Sequence, residues 1–288
     1  MKIGIIGSGR VGYSMGKYMQ DHGIRVTGFF DRHPDRALDA AQFTGTDSFD
    51  RIEDLVAASD TLFLTTSDGE IANVWDCIRH LSIQGKIICH FSGSLSSDQF
   101  QGIEKTGAYG LSIHPMLAFS DKYTSYKQLQ NAFFTLEGHV QALVVMEPLL
   151  QKMGNPVQRI APEKKALYHA AAATLSNQVV TVLASGYEML EACGFDAEKA
   201  RLASAALVRG NVENVISSGC MQALTGPIER GDLITVGKHL QVIPAQMRDM
   251  YIVLAKEQVR LAKKKNPHRD YTDMERLLAD EKEKETKQ

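Results

Sequence analysis

The stretch KIGIIGSGRVGYSMGKYMQDHG, residues 2–23, decides the fold. A short apolar run leads into Gly7, Gly9 and Gly12, and beyond them Val11, Met15 and Met19 recur at helical spacing. The run is the length of a buried strand, and the recurrence predicts a helix after it. Between a strand and a helix, a GxGxxG has a physical reason at every glycine. Gly7 permits the tight turn, Gly9 lets the backbone approach a pyrophosphate, and Gly12 lets the helix pack closely on the sheet. The free N–H groups of the helix would face the phosphate charge. Ser8, Arg10 and Val11 complete the turn and are expected to contact the cofactor with the glycines.

Outward from this turn the pattern continues. IRVTGFFD reads as a second strand closing on Asp31, DTLFLTTSD as a strand from Thr61 to Thr66, and GKIICHFSG as a strand from Lys86 to Phe91. SDGEIANVWDCIRHL, with Ile71, Val74, Ile78 and Leu81, has helical spacing. Alternating strands and helices predict an α/β protein with a parallel sheet covered on both faces. AYGLSIHPM, NAFFTLEG and NPVQRI supply further strands. After Pro162 the chain becomes rich in Ala, Leu, Val and Met at helical periods. Residues 1–161 are therefore expected to form a dinucleotide-binding domain. Residues 162–265 are expected to form an all-helical domain for substrate contact and dimerisation, and residues 266–288 a charged surface helix fraying into a solvated tail.

The bulk composition narrows the partners. A formal charge of −2 over 288 residues gives no basic field for nucleic acid or anionic lipid. Cys77, Cys89, Cys193 and Cys220 are scattered, without disulfide density or metal-ligand spacing, which suits a reducing cytoplasm and predicts no metal. The chain begins directly in the strand-and-turn pattern, so no signal peptide is expected. No segment reaches the roughly 18 apolar residues of a membrane span.

The carboxyl ends of parallel strands are where ligands collect in such a sheet. Asp31, about 20 residues beyond the glycine motif, can bind a ribose 2′-OH and favour NAD, whereas Arg32, His33 and Arg36 can bind a 2′-phosphate and favour NADP. A solvated turn with self-neutralising charges is the plainer reading of the same stretch. Thr66 lies at the next strand end, and Ser92 and Gly93 follow the strand after it, where a nicotinamide ring can approach; Ser96, Ser97 and Asp98 read as helix caps. In GLSIHPMLAF, His114 is held at a strand end by Pro115, which has no N–H to extend the ladder. Its imidazole can pass a proton to or from a substrate oxygen, or it can be satisfied locally by backbone groups.

In EKKALYHAAAATLSN, Lys165, His169, Ala172 and Ser176 share one helical face, with Asn177 at its margin. Lys165 or His169 is the expected proton donor, with Ser176 and Asn177 against the substrate. The alternative is a solvent-facing Lys165 above a buried, hydrogen-bonded His169. Arg230, in LTGPIERGDL, is suited to clamp a carboxylate, or else pairs with Asp232 or Glu229. Asp232 reads as an N-cap.

The glycine turn, HFSGSLSS, SIHPMLAF, KKALYHAAAATLSN and LTGPIERGDL, in this order, resemble the Rossmann-like oxidoreductases with an uncharacterised helical C-terminal domain. These are relatives of ketopantoate reductase, pyrroline-5-carboxylate reductase and prephenate dehydrogenase. The resemblance implies an N-terminal Rossmann sheet, an all-helical C-terminal domain of the 6-phosphogluconate dehydrogenase type, and a homodimer. It also implies hydride transfer from NADPH, or NADH, to a small 2-oxo acid, with ketopantoate the leading candidate. Imine or prephenate-like substrates, or a non-catalytic dinucleotide sensor, are the alternatives. Ketopantoate reductases carry a lysine followed four residues later by asparagine; here His169 stands at that spacing from Lys165, and Asn177 is the first asparagine.

Overall fold

The computed structural model describes residues 1–285. The chain divides into two compact units, Met1–Asn177 and the residues from Gln178 onward. The first unit opens with β1 (Ile3–Ile6), α1 (Arg10–Asp21), β2 (Val26–Phe30), α2 (Pro34–Thr44), β3 (Asp47–Ser48) and α3 (Ile52–Ala58). It continues through β4 (Thr61–Leu64), α4 (Asp68–Ile78), β5 (Ile87–His90), β6 (Tyr109–Pro115), β7 (Phe134–Gly138), α5 (Val140–Lys152), β8 (Val157–Arg159) and α6 (Lys165–Ala173).

The strands form one sheet in the order β3-β2-β1-β4-β5-β6-β7-β8. Chain order reverses beside β1, so a crevice opens at the carboxyl ends of β1 and β4. Period-two alternation fills both faces. Ile3, Ile5, Phe29, Phe63, Leu111 and Ile113 enter one core. Ile6, Leu62, Leu64 and Ile88 enter the other, together with Ile71, Trp75 and Ile78 of α4.

The structure departs from the sequence reading at four places in the fold. β7 runs antiparallel to β6, so the sheet is mixed. β6 also takes in Pro115 as its last residue, opposite Phe134, where the expected ladder stopped at His114. The next residue, Met116, donates its N–H to Phe133 O at 2.9 Å, which makes Pro115–Phe134 a pair that requires no N–H from the proline. The unit boundary lies at Asn177–Gln178, inside a π turn spanning Thr174–Gln178, and not at residue 161.

The fourth departure is the expected tail. The second unit comprises α7 (Val179–Ala192), α8 (Ala197–Ala223), α9 (Pro227–Arg230), α10 (Leu233–Val242), α11 (Ala245–Lys265) and α12 (Thr272–Glu285). Tyr271, Met274 and Leu278 are buried in one core with Val236, Leu240, Ile252 and Val259. Burying a side chain such as Met274 or Leu278 contributes about 1.5–3 kcal/mol, enough to hold α12 against its neighbours despite its many charges. Residues 286–288 of the expected tail lie outside the described residues. By contrast α8, 27 residues long, buries only Ala200. No helix among the described residues is long and apolar enough to cross a membrane.

Candidate active site at the carboxyl edge of the sheet

The glycine turn is built by close approach. Gly7 has φ of +103°, and a Cβ there would lie 3.0 Å from Thr66 N, so the turn requires glycine on both counts. A Cβ on Gly12 would lie 2.3 Å from Gly7 O and 2.7 Å from Thr65 Oγ1, which is the tight packing of α1 onto the strand ends. Around Gly9 the protein leaves room: its Cβ would meet only Thr65 O, at 3.8 Å. Protein packing therefore does not require Gly9, whereas a ligand approaching the backbone would.

A cleft of about 430 Å³ opens beside this turn, lined by Gly7, Ser8, Gly9, Asp31, Arg32 and Thr66 among others. Arg36 and Cys77 also reach it. Two of its hydroxyls, Ser8 Oγ and Thr66 Oγ1, are buried with no hydrogen-bond partner in the protein. Buried polar atoms are ordinarily paired, so these two are suited to a polar ligand. Asp31 Oδ2 accepts from Ser8 N at 2.7 Å and Oδ1 from His33 N at 3.0 Å, which pins the turn to the end of β2. Turn, helix N-terminus, orphan hydroxyls and arginines together fit a dinucleotide. Arg10 Nη1 donates to Phe119 O at 3.4 Å, and Val11 packs against the core beneath the turn.

A second cluster forms farther along the same edge. Ile6, Leu64, His90 and Ser112 stand level in adjacent strands, and His114 lies two residues beyond Ser112 on the same face of β6. Ser112 pairs with Glu137, and His114 with Thr135. Lys165 comes down onto this polar strip from α6. It is 2 % exposed, and its Nζ donates to Ser92 O at 2.9 Å and Ser112 Oγ at 2.8 Å. His114 Nδ1 and the Tyr168 hydroxyl are 2.7 Å apart. A Cβ on Gly93 would lie 2.8 Å from His114 Nε2 and 2.7 Å from His169 Cδ2, so both imidazoles meet over Gly93. Asp68, at the start of α4, accepts from Ser92 Oγ and Ser94 Oγ at 2.8 and 2.9 Å.

Burial holds the two imidazoles His114 and His90 in their neutral form. Burial, reinforced by Lys165 and His169, pushes the His114 pKa down to about 4, against an opposing pull from Asp68. Burial also lowers Lys165 to about 8, with Glu137 and Asp68 working against it. Beneath the cluster His90 is fully buried and lowered to about 4, again chiefly by burial. It accepts from Ser92 N at Nδ1, leaving Nε2–H to donate to Ser96 O at 3.0 Å.

The unfolded chain takes up a proton at His90 near pH 6.5, before the folded chain does. The stability contributed by neutral His90 is therefore complete above about pH 6.5 and is lost as pH falls toward 4. His90→Gln keeps a donor and an acceptor but does not titrate. Urea unfolding at pH 7 and pH 5 is expected to show the wild type losing about 2 kcal/mol more than the variant. Equal losses would mean that His90 is not held neutral.

The site residues expected from sequence are not all brought together. Lys165 is buried with Nζ donating twice while His169 is exposed, the reverse of the alternative in which Lys165 faced solvent. Ser176 and Asn177 lie within the π turn Thr174–Gln178, and both are exposed. Arg230 is exposed at the end of α9, and its charge helps to lower the pKa of Asp232, after the hydrogen bonds from Thr235. Asp232 caps α10 by accepting from Thr235 N at 3.0 Å, and Ser96 caps the short 3₁₀ turn Ser97–Gln99. The sequence reading passed over Tyr168, Ser112 and Asp68. The period of two along β6 puts Ser112 on the face of His114, a signal available in the sequence.

Sheet order, glycine turn and cleft define a Rossmann-like protein. More particularly, residues 1–115 match the Rossmann-like domain model, and residues 132–258 match the domain of unknown function DUF2520. The DUF2520 match begins just before β7 and runs on into α11, so it takes in the last two strands of the sheet as well as helices. A Thermotoga maritima protein of known structure is 23% identical, with a TM-score of 0.74 over 92% of this chain and 99% of its own. A Bacteroides fragilis protein described as an NADP oxidoreductase is 19% identical, with a TM-score of 0.73 over 90% and 98%. The pyrroline carboxylate reductase of Plasmodium falciparum, solved with NADP bound, is 14% identical, with a TM-score of 0.60 over 92% and 96%. At these identities the likeness is one of fold. No protein with a curated description matches the chain.

Proposed function

We propose that this protein is an NADP-dependent oxidoreductase that reduces a small 2-oxo acid, with ketopantoate the leading substrate. The observation that carries the reading is the convergence of His114 and His169 over Gly93, on the sheet edge that also holds the glycine turn. The turn and the orphan hydroxyls of Ser8 and Thr66 would hold the dinucleotide, and Arg32 and Arg36 would take its 2′-phosphate. When bound, the cofactor supplies a hydride. His114 Nε2 is placed to hydrogen-bond the oxygen that gains negative charge. Lys165 fixes the Ser92–Gly93 backbone against β6 and does not itself reach the substrate. The likeness to pyrroline carboxylate reductase favours a second reading, a cyclic imine substrate.

Mixing the purified protein with NADPH and either ketopantoate or a cyclic imine carboxylate, while following nicotinamide absorbance, separates the readings. Oxidation with the oxo acid alone supports the first and with the imine alone the second. Tight NADPH binding without turnover of either leaves the sensor reading.

We also propose that a second copy of the chain covers α7 and α8. Leu202, Leu207, Val212, Ile216 and Val180 are exposed on helices with almost no buried residues, more apolar surface than a monomer usually leaves in water. Sedimentation equilibrium is expected to give a dimer that Ile216→Glu dissociates. A wild-type monomer at micromolar concentration would exclude it.

A further inference from the structure

The geometry points to Tyr168 as the source of the proton that His114 passes on, through a two-bond relay from the phenol to Nδ1 and from Nε2 to the substrate. This rests on the oxidoreductase reading above. A neutral imidazole has one N–H, and the assignment of that proton decides what His114 can do. The Tyr168 hydroxyl and His114 Nδ1 are 2.7 Å apart, and the rings meet edge-on with centroids 5.5 Å apart. A phenol is the stronger donor and an imidazole nitrogen the stronger acceptor, so Tyr168 donates to Nδ1. The imidazole proton then resides on Nε2, the nitrogen over Gly93.

His114 cannot act alone as a charged acid. Its burial, and the nearby Lys165 and His169, hold its pKa down to about 4 against Asp68, so at pH 7 it is a neutral imidazole. Giving up Nε2–H with nothing returned would leave an imidazolate. The relay avoids both species. As hydride delivery leaves the substrate oxygen negative, the Nε2–H bond breaks and the new O–H bond forms. In the same step the Tyr168 O–H bond breaks and an Nδ1–H bond forms. The negative charge ends on the Tyr168 oxygen, and the half-buried phenol regains a proton from water.

Two neighbours suit that phenolate. The Thr135 side chain favours the ionised phenol, although burial raises the Tyr168 pKa overall. Lys165 Nζ lies 5.8 Å from the centre of the Tyr168 ring. Tyr168 is thus a positioning residue that also stores the proton, while His114 is the group that would touch substrate.

The test reads the imidazole directly, without cofactor. The full chain, labelled with ¹⁵N-histidine, is compared with Tyr168→Phe, and the His114→Asn spectrum assigns the signal among nine histidines. The relay expects wild-type His114 to carry its proton on Nε2, with Nδ1 unprotonated, and Tyr168→Phe to populate the Nδ1–H form. In turnover, Tyr168→Phe is expected to lower kcat roughly 10²-fold with KM nearly unchanged, and to reduce the solvent isotope effect from a two-proton to a one-proton dependence. A wild-type Nδ1–H tautomer, or an unchanged kcat in the variant, overturns the relay. Failure of the wild type to bind NADPH overturns the oxidoreductase reading instead, so the two failures are distinguishable.

Discussion

Gly93→Ala is expected to fold and to bind NADPH within a few-fold of the wild type, yet to lose turnover by about 10²-fold. The backbone at Gly93 is not in the left-handed region, so alanine is conformationally acceptable. The new methyl group, however, would occupy space 2.8 Å from His114 Nε2 and 2.7 Å from His169 Cδ2. His169 is exposed and can turn away. His114 cannot move without stretching its hydrogen bond to Tyr168, and the misplacement falls on the nitrogen proposed to meet the substrate. Overpacking of this kind costs about 1–3 kcal/mol of stability, which a lowered melting temperature would register separately. NADPH titration followed by fluorescence reports on the glycine turn, and steady-state kinetics report on the histidine cluster. Unchanged kcat with intact folding would remove His114 from the chemistry.

The glycine turn was legible because its strand, glycines and helix follow one another in the chain. The atoms that crowd Gly7 and Gly12 were not, since Thr65 and Thr66 arrive from the end of β4. His114 was legible as a strand-end residue from its neighbours in the chain, and β6 does end one residue later, on Pro115. What the local pattern did not show is β7, which arrives antiparallel from residues 134–138 and pairs with Pro115 without needing its N–H. Lys165 shows the limit of a helical projection. Spacing places Lys165 and His169 on one face, but burial is decided by the strip of Ser112 and Glu137 that α6 meets. Tyr168 was hidden because its partner is 54 residues away, and the π turn that holds Ser176 and Asn177 interrupts the regular helix on which the projection relied. Pairings across the sheet and interruptions of helical phase are set by tertiary packing, which periodicity does not report.

Replacing both Arg32 and Arg36 by alanine is expected to weaken NADPH binding by about 10²- to 10³-fold while leaving NADH binding within a few-fold. Both arginines line the cleft at the end of β2, where the ribose of a bound dinucleotide would rest. Charge-assisted hydrogen bonds are worth about 1.5–3 kcal/mol each, and solvent exposure of both side chains favours the lower end. Asp31 is the competing selector, since a carboxylate there can accept from a ribose hydroxyl. In this chain both Asp31 oxygens already accept backbone N–H groups, from Ser8 and His33, so its first role is to hold the turn. Isothermal titration of both cofactors against wild type and double variant separates the two. A wild-type preference for NADPH that disappears in the variant assigns discrimination to the arginines. Equal loss of both cofactors would mean that Arg32 and Arg36 support the cleft without reading the 2′ group, and a wild-type preference for NADH would return selection to Asp31.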